Sequence, residues 1–270
     1  MNEDVHSVSG TDTLAGDTEV FKSTGNMQNS QDNIEENDLS TTITSLDHPI
    51  TTTKTCSPPI EPDGLSWPRR EISQSLQLAP AEGDNRLQKL AEAVRIIIEC
   101  IGEDLTREGL RETPERYARA MLYFTSGYKQ NVYDLINEAV FSEDHDELVV
   151  VKDIDVFSLC EHHMVPFFGK IHVGYIPDCR VLGLSKIARL AEMFSRRLQV
   201  QERLTKQLAL AISNAIKPQG VGVIMESSHL CMEMRGVQKV ASKTLTSCML
   251  GCMRSNKDSR EEFLAFLRRK

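Results

Sequence analysis

Ser158-Leu159-Cys160-Glu161-His162-His163 is the densest run of chemically capable side chains in this 270-residue sequence. Two residues separate Cys160 from His163, a spacing at which a single turn can aim both side chains at one ion. Zinc accepts a thiolate sulfur at about 2.3 Å and an imidazole nitrogen at about 2.0–2.1 Å. Far downstream, Ser228-His229-Leu230-Cys231 offers a second histidine and a second cysteine. If 221–231 is a strand, His229 and Cys231 share a face, because side chains alternate with period two. One strand would then bring a ligand and an imidazole to the same place. Three protein ligands and a water make a catalytic zinc site, and four protein ligands make a structural one. Cys160, His163 and Cys231 supply three, and His162 or His229 is available as a fourth, so spacing leaves the number open. Cys248 and Cys252 also resemble a metal pair, but their apolar neighbours predict core thiols. His172, alone on a predicted strand, reads as structural.

These residues need elements to hold them. Leu87, Leu90, Ala91, Val94, Ile97, Ile98 and Ile101 recur at helical spacing, which predicts a helix over 87–101. A second helix is expected from Thr113-Pro114, with Thr113 as N-cap, ending at Gly127 as the C′ residue. From Glu147 the pattern turns β-branched and partly alternating, and 167–176 repeats it. The two form a predicted hairpin through the CEHHMVP turn. Two amphipathic helices follow, the first capped by Ser185, the second running from about Leu204 to Pro218. Residues 221–231 and 235–246 read as two more strands, and a charged helix over about 259–268 closes the chain. Strand, strand, helix, helix, strand, strand predicts an α+β domain with helices on one face of an antiparallel sheet.

Composition bounds the rest. Residues 1–60 hold ten acidic and two basic side chains, so they carry the whole formal net charge of −8 and leave 61–270 neutral. Residues 1–85 are rich in Ser, Thr, Asn, Asp and Glu and poor in aliphatics, which predicts a disordered acidic tail. Within it, Trp67, Arg69, Arg70 and Ser73 are the features with interaction or phosphorylation potential. No apolar run approaches the roughly 20 residues needed to cross a bilayer. Seven irregularly spaced cysteines behind a polar N-terminus point to a reducing, cytoplasmic setting, where Cys and His more often serve metals or catalysis than disulfides. Neither a nucleic acid nor a membrane is expected as partner.

The blocks SLCEHHMVPFFGKIHVGYIP, GLSKIARLAEMFSRRLQVQERLTKQ, SSHLCMEMRGV and TSCMLGCM resemble, in order, the signatures of the GTP cyclohydrolase I family. The resemblance runs from about residue 86 to 270, and so implies a catalytic domain made of a helical part, 86–146, and a core, 147–270. The implied fold is similar to the T-fold, a ββααββ unit. The implied metal is one Zn2+ per subunit, on Cys160, His163 and Cys231, which frees His162 and His229 for chemistry. The implied reaction is GTP and water to 7,8-dihydroneopterin triphosphate and formate, the first step of tetrahydrobiopterin or folate synthesis. The motif wording looks closer to eukaryotic, biopterin-making members. By the same resemblance His229 protonates N7, while Ser185 and His162 serve the later acid–base steps. Glu202, assisted by Gln201, reads the guanine edge. Lys186, Arg189 and Arg235 meet the triphosphate, together with Arg116 from a neighbouring subunit. The assembly implied is a toroidal homodecamer with active sites between subunits, in a family where some members are allosterically controlled by a feedback regulatory protein.

Overall fold

The computed structural model describes residues 81–269. Most of the predicted acidic tail, with Trp67, Arg69, Arg70 and Ser73, lies outside them. The first helix, α1 (Ala81–Cys100), begins a few residues before the expected boundary and packs on α2 (Thr113–Phe124). Pro114 stands in the first turn of α2 as expected, but Thr113 is not its cap. Glu112 occupies the N-cap position, and the Thr113 hydroxyl donates back to the Gly109 carbonyl at 3.1 Å. Gly127 does not end this helix either. It belongs to a 3-10 turn, Ser126–Lys129, where it is pressed against backbone, and a Cβ there would come within 1.9 Å of the Met193 carbonyl oxygen. The glycine is required by that close approach, not by a helix end.

A short helix, α3 (Val132–Ile136), follows, and β1 (Val140–Ser142) pairs antiparallel with β4 (Arg180–Leu182). The main sheet comprises β2 (Val149–Cys160), β3 (Pro166–Ile176), β5 (Leu198–Gln199), β6 (Gly220–His229) and β7 (Thr244–Gly251), in the order β5-β2-β3-β6-β7. All neighbours are antiparallel except β2 and β5, which run parallel and pair Cys160 with Gln199. Between β3 and β6 lie α4 (Leu184–Ser195) and α5 (Gln201–Ile216). This is the α+β, T-fold order expected.

Alternation along the strands decides which face is buried. Phe167, Ile171, Val173 and Tyr175 of β3, with Val221, Val223 and Met225 of β6, meet Ile187, Leu190 and Phe194 of α4 and Leu204, Leu208 and Ile212 of α5 in one core. The opposite face takes the C-terminal helix α8 (Lys257–Arg268), which starts two residues earlier than predicted. Its Phe263 is fully buried over Gly174 and Gly222, where added Cβ atoms would come within 2.6 and 2.9 Å of the ring. Two glycines on adjacent strands thus make the notch that seats this helix. On β2 the register slips between Val151 and Ile154, and Asp153 turns to φ +61°. The Asp153 N–H, displaced from the ladder, donates to His172 Nδ1 at 3.0 Å, which is the structural role expected of His172.

The last two predicted strands need revision. The first stops at His229, and residues 230–233 form a short helix, α6 (Leu230–Glu233). The second begins only at Thr244, because turns occupy most of 235–243. A final short helix, α7 (Cys252–Ser255), precedes α8. Among the described residues no helix is long and apolar enough to cross a membrane.

Candidate metal centre and histidine site

The β2–β3 turn and the end of β6 bring the predicted ligands together. Cys160 ends β2, and its N–H donates to the Val165 carbonyl at 3.0 Å. The Met164 N–H donates to the Cys160 carbonyl at 2.8 Å, with Met164 in the left-handed region. The turn is thereby closed with His163 inside it. Across β3, strand β6 ends at His229, and α6 reverses the chain so that Cys231 faces Cys160. The donor atoms of Cys160, His163 and Cys231 all lie within 4.8 Å of one another. Cys160 Sγ and His163 Nδ1 are 3.9 Å apart. Ligand atoms around a tetrahedral zinc are separated by about 3.5–3.8 Å, so this cluster needs only a small contraction to hold an ion. Burial pushes the Cys231 thiol up, and the nearby Cys160 sulfur adds to the effect, whereas the Arg235 charge acts the other way. A cation between the sulfurs would reverse that balance. The Cys-His-Cys group can therefore bind a metal, and its donor set fits zinc. Cys231 does so from a helical turn, not from the strand face it was expected to share with His229.

Glu161 anchors the turn from below. Its two carboxylate oxygens accept from Arg203 Nη1 at 2.5 Å and Nη2 at 3.0 Å, and its own N–H donates to the Gln199 carbonyl at 3.0 Å. The Arg203 hydrogen bonds hold the Glu161 carboxyl below its usual range, against the opposing effect of burial. Gln199 is tied in turn to the end of α4, where its Nε2 donates to the Phe194 carbonyl at 3.0 Å. By residue type and position alone, Arg203 would be an ordinary solvent-facing residue at the start of a helix. Nothing in the spacing says which side of the α5 start faces the turn.

His229 stands beside the cluster, stacked on Phe167 with ring centroids 4.6 Å apart and planes 6° from parallel. Its Nε2 is 2.8 Å from Gln201 Oε1. Burial lowers the pKa of His229, and the carboxylates of Glu202 and, to a lesser degree, Glu233 oppose that. Glu202, exposed at the start of α5, is thus close enough to act on the imidazole. His162 is exposed on the ligand turn, its Nδ1 3.8 Å from Cys160 Sγ. Gln201 is 1% exposed, and its carboxamide bonds Met225, Thr244, Ser227 and His229.

The remaining residues stand elsewhere in the chain. Ser185 is not the cap of α4, since Gly183 holds that position, and its hydroxyl is exposed in the first turn. α4 spans twelve residues, about 18 Å, and its C-terminal end is the one tied to Gln199 and hence to Cys160. Ser185, Lys186 and Arg189 occupy its first half, with Lys186 Nζ donating to the Leu135 carbonyl at 2.9 Å. Arg116 is exposed on α2, where its Nη2 donates to the Gly109 carbonyl at 3.0 Å. Ser185, Lys186 and Arg189 thus lie toward the end of α4 away from its Gln199 contact.

Fold and site together define a T-fold protein with a three-donor metal cluster and a shielded imidazole next to it. A family profile described as GTP cyclohydrolase I matches residues 90–268. The chain is 58% identical over 217 residues to a GTP cyclohydrolase 1 of Saccharomyces cerevisiae, covering 80% of this chain and 89% of that protein. It is 57% identical over 227 residues to one of Neurospora crassa (84% and 72% covered) and 57% identical over 190 residues to one of Homo sapiens (70% and 76% covered). The chain belongs to the GTP cyclohydrolase I family of enzymes.

Proposed function

We propose that this chain, loaded with zinc on Cys160, His163 and Cys231, converts GTP and water to 7,8-dihydroneopterin triphosphate and formate. The observation that carries the reading is the convergence of the three donor atoms within 4.8 Å beside His229. Zinc, when bound, supplies the Lewis acidity that makes water a competent nucleophile near neutral pH. His229 holds a proton for purine N7, and protonated N7 makes C8 a better electrophile. Burial lowers the pKa of this imidazole, and the carboxylates of Glu202 and Glu233 offset part of that. Glu202 accepts from the guanine N1–H and 2-amino group, a pairing that adenine cannot make. His162, exposed on the ligand turn, is suited to proton transfers at the ribose.

The triphosphate and the sugar need cationic and polar groups beyond the histidine site. Ser185, Lys186 and Arg189 stand toward the end of an approximately 18 Å helix whose other end is tied to the metal turn, and Arg116 is on α2. We therefore extend the expected subunit exchange from Arg116 to all four residues, within the toroidal homodecamer that family resemblance implies. Arg235, whose charge reaches Cys231, is supplied by the same chain as the metal. A cytoplasmic location suits the reduced thiols such a site requires. The test is direct. Purified, zinc-loaded protein is incubated with GTP while formate and the fluorescent oxidised pterin are followed. Equimolar appearance of both is expected, and absence of both products overturns the reading.

A further inference from the structure

The Gln201 carboxamide is fully engaged, and its partners fix its orientation. Nε2 donates to the Met225 carbonyl at 3.1 Å and to the Thr244 carbonyl at 3.0 Å. Carbonyl oxygens only accept, so these two partners determine which way round the amide stands. Oε1 must then be the atom facing the imidazole. It accepts from Ser227 Oγ at 2.6 Å and lies 2.8 Å from His229 Nε2. An amide oxygen has no hydrogen to give, so the short contact requires the hydrogen to be on Nε2. Ser227 agrees with this. Its hydroxyl hydrogen is committed to Gln201, which leaves an oxygen lone pair toward Nε2 at 3.2 Å. The parallel Phe167 ring holds the imidazole plane, so the ring cannot tilt away from Oε1 without losing a stacked contact. Among the described residues no protein group bonds Nδ1.

We infer that Gln201 is a positioning residue that fixes His229 as the Nε2–H tautomer and so makes Nδ1 the nitrogen that exchanges the reaction's proton. This rests on the proposed role of His229 as proton donor to N7. In that step the Nδ1–H bond of the imidazolium breaks and the N7–H bond forms. The ring is left neutral with its Nε2–H still on Gln201, ready to be reprotonated from solvent at Nδ1. The network stores this preference in an uncharged partner. A carboxylate at the same place would also accept from Nε2–H, but it would add a charge and abandon Met225 and Thr244.

The test reads the tautomer itself. Zinc-loaded full-length protein, labelled with 15N in its histidines, is examined by solid-state NMR at a pH where His229 is neutral. The His229→Ala spectrum, subtracted, isolates the ring. A protonated Nε2 and a bare Nδ1 are expected. Gln201→Met should give a mixture of tautomers, with kcat reduced about 10- to 100-fold as part of an acid–base contribution is lost. Its zinc content and KM for GTP should stay within twofold. Gln201→Glu should keep the Nε2–H form. An Nδ1–H ring in the unsubstituted protein overturns the inference, as does an unchanged tautomer in Gln201→Met. A rise in KM with kcat intact would return Gln201 to the substrate. Should Gln201→Met fail to fold, the unsubstituted spectrum still decides. Failure of the unsubstituted protein to release formate from GTP would remove the role of His229 while leaving the tautomer result to stand or fall separately.

Discussion

Arg203→Met would remove both hydrogen bonds to Glu161 while keeping the aliphatic stem. The pair is only partly shielded, with side-chain exposures of 19% for Arg203 and 28% for Glu161, so some discount for solvent applies. Two unit charges about 4 Å apart attract by about 4 kcal/mol at an effective dielectric of about 20. Desolvation and side-chain ordering offset much of that, and a charge-assisted pair of this geometry contributes about 1–3 kcal/mol net. The strain would fall on the turn that aims His163, because Glu161 lies between Cys160 and the histidines. Loss of a group that orients metal ligands typically weakens metal binding about 10- to 100-fold, or roughly 1.4–2.8 kcal/mol, which agrees with that net contribution. Zinc affinity would be measured by chelator competition on the unsubstituted protein, Arg203→Met, Glu161→Gln and the double variant. Each single change should lose about 10- to 100-fold, and the double should lose no more than the worse single. Zinc affinity within twofold in Arg203→Met, or fully additive losses in the double, would refute the reasoning. The acid limb offers a further check. The Glu161 carboxyl is held low in the folded protein chiefly by Arg203, so its contribution is present above the usual carboxylate pKa and is lost as pH falls through the lower folded value. Arg203→Met should lose that acid-side transition.

Four other outcomes are expected. His229→Ala should keep its zinc and lose turnover by at least about 100-fold, whereas Cys231→Ala should lose both; metal analysis beside the formate assay separates them. Ser185→Ala and His229→Ala proteins, each inactive, should regain up to about a quarter of the activity when unfolded and reassembled together, because exchanged subunits rebuild some complete sites; no recovery in mixed oligomers would place Ser185 and His229 in the same chain's site. Phe263→Ala should cost about 3–5 kcal/mol in urea unfolding, since the ring is fully buried in the notch of Gly174 and Gly222. Burial lowers the pKa of His172, so as pH falls below 6.5 the unfolded chain takes up a proton that the folded chain refuses, and stability drops. His172→Asn, which still offers an oxygen to the Asp153 N–H, should flatten that part of the stability–pH curve.

Cys160, His163 and Cys231, which the structure brings together, were separable from His162 and His229 only through the family resemblance, because spacing allowed a fourth ligand. The geometric argument for Cys231 was not sound. Period-two alternation would have carried it on a strand, yet β6 ends at His229 and the reversal in α6 delivers the sulfur. Element order was legible because the change from helical to alternating periodicity at Glu147 is long and clear. Caps were less so. Thr113 and Ser185 have the right chemistry, but Glu112 and Gly183 take the cap positions, each without a side-chain cap hydrogen bond. Gln201, Glu202 and Arg203 show the limit most clearly. They are consecutive at the start of one helix, and they face the imidazole, the solvent and the ligand turn respectively. Only the packing of α5 against the sheet assigns those directions, and periodicity within the first helical turn does not contain it.

The donors of the metal cluster sit on opposite sides of β3, with Cys160 and Cys231 roughly seventy residues apart along the chain. An ion joining them closes a long loop, and ring closure of that length is entropically costly for an unfolded chain, though the cost grows only slowly with length. The cluster therefore offers little to a nascent chain. Until α4, α5 and β6 have been made and β6 has docked on β3, the first two donors have no third. A metal held there would arrive as a late fastener and not as a nucleus. By binding only chains that have already paired β6 with β3, it would draw the folding equilibrium toward them. Such a metal would act as an inspector of the fold, because a chain whose β6 has not docked on β3 lacks the third donor.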